Sequence, residues 1–168
     1  MSNEPIIIVA GEPNSVFLEI FFKCIKSNLY KNPLIIISSQ KLLEKQMKKL
    51  KFFFNINVID KNFDQFNKLN NKQINLINVE YKFSNCFEKI TIKSNGYIKE
   101  SFNIALEIIN KNKFTKFING PISKKHFLKG KTLGITEYLA KKTKKDNQVA
   151  MLIFNNKLSV SPLTTHVA

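Results

Sequence analysis

Two short runs, Ile6-Ile7-Ile8-Val9-Ala10 and Leu34-Ile35-Ile36-Ile37, most constrain what this chain can fold into. Both are apolar at every position and rich in β-branched residues. A strand with one solvated face alternates apolar and polar positions. A strand with no polar position is buried on both faces, as in a parallel sheet. Gly11-Glu12-Pro13 ends the first run, and Ser38-Ser39 ends the second and offers a helix cap.

The rest of the chain fits that frame. Phe17, Leu18, Phe21, Phe22 and Ile25 recur at helical spacing, with Asn14 or Ser15 as the expected cap. A Lys-rich helix is predicted from Ser39 to about Leu50, and strands are predicted over Asn55–Ile59 and Ile74–Val79. The Asn/Lys-rich stretch from Asp60 to Lys72 reads as irregular. Tyr81 to Lys93 gives no clear period, although Ile90-Thr91-Ile92 fits a short strand. A helix follows from Gly96, carried by Ile98, Phe102, Ala105, Leu106 and Ile109. Phe114–Ile118 predicts a strand and Thr136–Lys144 a helix. Gln148–Phe154 and Leu158–Leu163 predict two strands joined by a turn at Asn155-Asn156-Lys157. Strands alternating with helices give an α/β class with a largely parallel sheet.

The formal net charge of +15 would ordinarily point to nucleic acid. All 27 basic residues are Lys, however, and they are spread along the chain. Reading base edges and gripping phosphates with two parallel bonds both favour the guanidinium fork, which is absent. Lys, Asn, Ile and Phe are over-used together, as an AT-rich coding sequence would dictate. The composition therefore argues against nucleic acid as the partner. The apolar runs are too short to span a bilayer, so no membrane partner is expected either. Cys24 and Cys86 fit no Cys-x-x-Cys pattern. They are two thiols of a reducing cytosol or one disulfide, and a cytoplasmic location is expected.

Several segments have the residue types that chemistry requires. Asn119-Gly120-Pro121-Ile122-Ser123-Lys124 follows a buried strand, where open α/β sheets bind ligands. It either presents Asn119, Ser123 and Lys124 to an anion or is a plain strand-to-helix turn. Gly134-Ile135-Thr136-Glu137 either offers amides and a hydroxyl to a phosphate or is a Thr cap followed by Glu. Gly130-Lys131-Thr132 mimics the end of a phosphate-binding Walker loop, but Lys125 stands where that loop needs glycine. Gly11-Glu12-Pro13 lacks the further glycines of a dinucleotide turn. His166 ends an apolar strand-like run; one imidazole cannot hold a divalent ion unaided.

Taken in order, these segments resemble the 4-hydroxythreonine-4-phosphate dehydrogenase family of pyridoxal phosphate biosynthesis. The resemblance rests on Gly11-Glu12-Pro13, Asn95-Gly96-Tyr97, Gly120-Pro121-Ile122-Ser123-Lys124, Gly134-Ile135-Thr136-Glu137 and Thr164-Thr165-His166. It implies a three-layer α/β/α fold like that of isocitrate and isopropylmalate dehydrogenases. It also implies a homodimer with the active site shared between subunits. Residues 1–168 would be the N-terminal portion of a two-domain dehydrogenase, truncated after its first half. His166 corresponds to the first of three metal-binding histidines, for zinc, magnesium or cobalt. Thr136 corresponds to a substrate-binding position, Ile135 stands where the family has histidine, and Lys124 is expected to help position the substrate's anionic groups. The NAD or NADP site and the remaining metal ligands are expected beyond residue 168.

The expected activity is oxidation, with decarboxylation, of 4-phosphooxy-L-threonine. Ile135 leaves open a related phosphorylated hydroxy acid such as phosphothreonate. A non-catalytic, Lys-rich anion- or nucleic-acid-binding domain is the alternative of a different class.

Overall fold

In the computed structural model, which describes residues 4–162 except 65, 131 and 147, the first apolar run becomes strand β1 (Ile6–Val9). The second becomes β2 (Leu34–Ser38), every residue of which is buried. With β3 (Ile56–Val58), β4 (Ile74–Asn78) and β5 (Phe117–Asn119) they form one sheet in the order β3-β4-β2-β1-β5. Every neighbouring pair is parallel. The register sets Ile7 against Ile35 on one side and Phe117 on the other.

The alternation of side chains divides the apolar positions between two helical layers. Ile8, Leu34, Ile36, Ile74 and Leu76 share one core with helix α1 (Phe17–Ser27) and Leu43 of α2 (Gln40–Lys49). Leu18, Phe21, Phe22 and Ile25 are the buried stripe of α1, three and four residues apart. Burying each contributes roughly 2 kcal/mol. Helix α3 (Asn95–Asn112) packs on β1 and β2 with Ile98, Phe102, Ala105 and Ile108 buried. These three layers bear out the α/β/α expectation.

Connectivity explains the layering. From β1 through α1 to β2 the chain moves toward one edge, and after β4 it returns past β1 to β5. With crossovers of one hand, reversing direction moves the connecting helix to the opposite face. The reversal lies between β1 and β5, so the loops leaving these strands border the switch point.

Local predictions fared unevenly. Ser39 caps α2 as expected, its side chain accepting from the Leu42 amide. The N-cap of α1 is Val16 with no side-chain cap; Ser15 Oγ instead accepts from the Phe17 amide at 3.3 Å. The strand expected at residues 90–92 is absent. Residues 92–94 form a tight 3-10 turn that leads directly into α3. The Asp60–Lys72 stretch is irregular apart from a turn at Phe66–Lys68.

A second compact unit begins at Leu128. It holds α4 (Ile135–Thr143) and a hairpin of β6 (Ile153–Phe154) and β7 (Ser159–Val160). The hairpin is shorter than the sequence predicts; it is closed by the Asn155 amide donating to the Leu158 carbonyl at 3.0 Å. Among the described residues no helix is long and apolar enough to cross a membrane.

Candidate functional site

The loops leaving β1 and β5 meet at the carboxyl edge of the sheet, where glycine is required on both sides. Gly11 has φ +74°, and a Cβ there would run into the Pro121 carbonyl oxygen. A Cβ on Gly120 would overlap the Ala10 carbonyl oxygen and meet the Phe17 ring at 3.1 Å. Two backbone bonds lock the contact: Gly120 N donates to Val9 O at 2.7 Å, and Glu12 N to Pro121 O at 2.8 Å.

Glu12 is 3% exposed, an unusual position for a carboxylate. Its burial is compensated by donors. Ser94 Oγ, which also reaches the Thr91 carbonyl, donates to Oε2 at 2.9 Å; the Asn14 amide approaches Oε1 at 3.4 Å. Ser94 is the N-cap residue of α3, where the helix macrodipole also favours a negative charge. The sequence marks Glu12 only as part of a loop motif. An acidic residue between Gly and Pro, directly after a fully apolar strand, is the signal that could have found it.

Further buried polar groups gather at this edge. The Tyr97 hydroxyl lies 3.2 Å from Ser38 Oγ at the end of β2. Burial pushes the Tyr97 phenol up to about 12, opposed by its hydrogen bonds to Ser38, Ser39 and Ser101. Tyr81, its ring tilted against that of Tyr97 with centroids 5.1 Å apart, is also raised, chiefly by burial. Gln46 of α2 is fully buried and donates to the carbonyls of Pro13 at 3.0 Å and Cys86 at 2.7 Å. Asn14 Oδ1 accepts from the Glu88 amide at 3.0 Å, so the irregular segment after β4 is pinned from two directions. Backbone amides of Asn85 and Ser84 hold the Glu88 carboxyl below its usual range.

The residues singled out in the sequence divide between the two units. Lys124 stands exposed at the start of a wide π-type turn, Lys124–Leu128, and has no ion-pair partner among the described residues. Ser123 and Asn119 are already engaged. Ser123 Oγ accepts from the His126 amide at 3.1 Å, and Asn119 Nδ2 donates to the Gly120 carbonyl at 3.2 Å. Of the three side chains expected to meet an anion, Lys124 is thus the one with no such tie. In the second unit, Thr136 lies in the first turn of α4, but the N-cap is Gly134 and no side chain caps it. Ile135 begins that helix, half-buried, and offers no hydrogen-bonding atom. His166, the expected metal ligand, lies outside the described residues.

Among the described residues no three of His, Cys, Asp and Glu converge on a point, and Cys24 and Cys86 are both free thiols. They therefore make no cation cage by themselves. The turn between β1 and α1 is no dinucleotide seat either. Gly11, Glu12 and Pro13 are buried, and Phe17 stands against Gly120.

The fold has solved counterparts. A 4-hydroxythreonine-4-phosphate dehydrogenase from Burkholderia phymatum superposes with a TM-score of 0.82 at 22% identity, covering 98% of this chain and 51% of that one. The corresponding dehydrogenase from Klebsiella pneumoniae gives 0.83 at 19% identity, covering 98% and 52%. At such identities the likeness establishes the fold, and the chain spans about half the length of these structures. No curated protein matches the sequence. The sequence profile of one family, described as pyridoxal phosphate biosynthetic protein PdxA, matches residues 30–168. That span takes in α3 with Asn95, the Lys124 turn and α4, and the chain belongs to the PdxA family of pyridoxal phosphate biosynthetic proteins.

Proposed function

We propose that the protein serves an NAD- or NADP-dependent oxidation of 4-phosphooxy-L-threonine to 3-amino-2-oxopropyl phosphate in pyridoxal phosphate biosynthesis. The family match over residues 30–168 is the observation that carries this reading. In the reaction the secondary alcohol gives up its hydride and its hydroxyl proton. The resulting β-keto acid then loses its carboxylate as CO₂, and the α-carbon takes up a proton.

The chain's own residues contribute binding and orientation. Lys124 offers an exposed ammonium to the substrate's anionic groups. Thr136 offers a hydroxyl, and the uncapped first turn of α4 has amides that suit a phosphate oxygen. His166 would give one ligand to a divalent cation (zinc, magnesium or cobalt). When bound, the nicotinamide and the cation supply hydride acceptance and Lewis acidity. The remaining ligands and the cofactor site would lie in the half of the solved counterparts that residues 1–168 do not span, and the assembly would be a homodimer.

A second reading, oxidation of a different phosphorylated hydroxy acid such as phosphothreonate, is favoured by Ile135. An apolar side chain cannot donate to a substrate group that a histidine would hold. The test is an assay of the intact gene product with added divalent metal, following NAD(P)H formation on both substrates. Chelator-sensitive reduction on 4-phosphooxy-L-threonine is the expected result. Reduction on phosphothreonate alone selects the second reading, and none on either overturns both.

A further inference from the structure

We propose that Asn95, Ser94 and Glu12 are positioning residues for Lys124, forming a closed circuit of hydrogen bonds that holds the Gly120–His126 turn. The inference rests on the binding role given to Lys124 above, and adds the device that sets where its ammonium is presented.

The circuit can be followed bond by bond. The Glu12 amide donates to the Pro121 carbonyl at 2.8 Å, which fixes the start of the turn. Within the turn, the His126 amide donates to Ser123 Oγ at 3.1 Å and the Phe127 amide to the Ser123 carbonyl at 2.8 Å. The far end is held by Asn95 Nδ2, which donates to the His126 carbonyl at 2.8 Å. Asn95 adjoins Ser94, and Ser94 Oγ donates back to Glu12 Oε2 at 2.9 Å. The segment carrying Lys124 is thus tied at both ends, to the β1 loop and to the amino end of α3.

Three observations point to positioning over simple stability. Asn95 Oδ1 is buried with no hydrogen-bond partner, an unfavourable arrangement that the bond from Nδ2 to His126 offsets only in part. The turn is π-type, a rare form that is frequent at functional sites. Lys124 itself takes no part in the circuit, so the ties constrain its backbone while leaving its ammonium available. A flexible side chain is useful for binding only if its root is fixed, since each freedom left to the root is lost again when a ligand binds.

The test uses isosteric Asn95→Asp, which keeps the volume and exchanges the donor for an acceptor facing a carbonyl. Binding of 4-phosphooxy-L-threonine to the intact protein is measured by calorimetry for wild type, Asn95→Asp, Lys124→Ala and the double variant. We expect each single change to weaken binding by about tenfold, the factor set by one ordinary hydrogen bond. The double variant should bind no more weakly than Lys124→Ala. Additive losses, or an Asn95→Asp protein that binds like wild type, would overturn the proposal. A purely structural role predicts additivity.

Hydrogen exchange separates this proposal from the function it rests on. Asn95→Asp and Glu12→Gln should each speed exchange of the His126 and Phe127 amides by about tenfold while leaving β2 amides unchanged. Should wild type and Lys124→Ala bind equally, the binding role of Lys124 fails. Unchanged exchange at those amides shows that no circuit exists, whatever Lys124 does.

Discussion

Gly120 approaches Ala10 so closely that its α-carbon has no room for a side chain. The two loops leaving β1 and β5 touch backbone to backbone at the point where the sheet reverses its winding. Gly120→Ala must push the Ala10 carbonyl aside, and backbone cannot yield as a side-chain tip can. We expect a loss of about 3 kcal/mol, the upper end of overpacking penalties, read as a shifted urea midpoint. Gly96 is the control, since nothing lies within 4 Å of the Cβ it would gain in the first turn of α3. Gly96→Ala should stabilise by about 0.5–1 kcal/mol through helix propensity.

Gln46 ties α2 to two separate loops with one amide group. Gln46→Leu keeps most of the volume and leaves the Pro13 and Cys86 carbonyls without that donor. A cost of about 1–3 kcal/mol is expected. Proteolysis should turn first to the segment between Tyr81 and Thr91, which has no regular structure to protect it. Unchanged cleavage there would show that the segment is held by other contacts.

Among the described residues four lysines adopt φ between +50° and +59°: Lys51, Lys113, Lys129 and Lys144. Lys113 and Lys144 are the residues that end α3 and α4, positions where glycine carries no Cβ penalty. Lys113→Gly should stabilise the first unit by about 1 kcal/mol, measured by denaturant unfolding. A decrease would mean that the Lys113 side chain makes contacts worth more than the backbone strain.

Tyr97 gives a pH dependence whose direction follows from its raised pKa. In the unfolded chain the phenol ionises near its ordinary value of 10, while in the fold it stays protonated to about 12. The unfolded state therefore binds fewer protons between these values, and stability falls as pH rises. The contribution is complete below pH 10 and is lost through pH 12, amounting to about 2–3 kcal/mol. The readout is the difference between wild type and Tyr97→Phe across that window. Parallel curves would refute the assignment.

The layered α/β architecture is legible in the sequence because burial on both faces leaves an unambiguous local mark. Ile6–Val9 and Leu34–Ile37 have no polar position, and α1 repeats its apolar residues at helical spacing. Weak periods misled. Ile90-Thr91-Ile92 has β-branched residues but pairs with no strand of the sheet, and the chain there turns into α3 instead. The cap of α1 was misplaced because Asn14 is drawn away to the Glu88 amide, a partner 74 residues distant.

Sequence by itself determined the class of fold and the order of its motifs, since both are written in local patterns of apolar, capping and breaking residues. Only the tertiary structure decided which motifs act together. Glu12 and Ser94 are 82 positions apart, yet their bond helps hold the turn that bears Lys124. Such a pairing leaves no local trace, because what brings the two together is strand order. The sheet places β5 beside β1, so loops distant along the chain share one edge. Glu12, which the sequence marks only as part of a loop motif, becomes a buried anchor there, stabilised by the hydroxyl and helix end that the fold delivers to it.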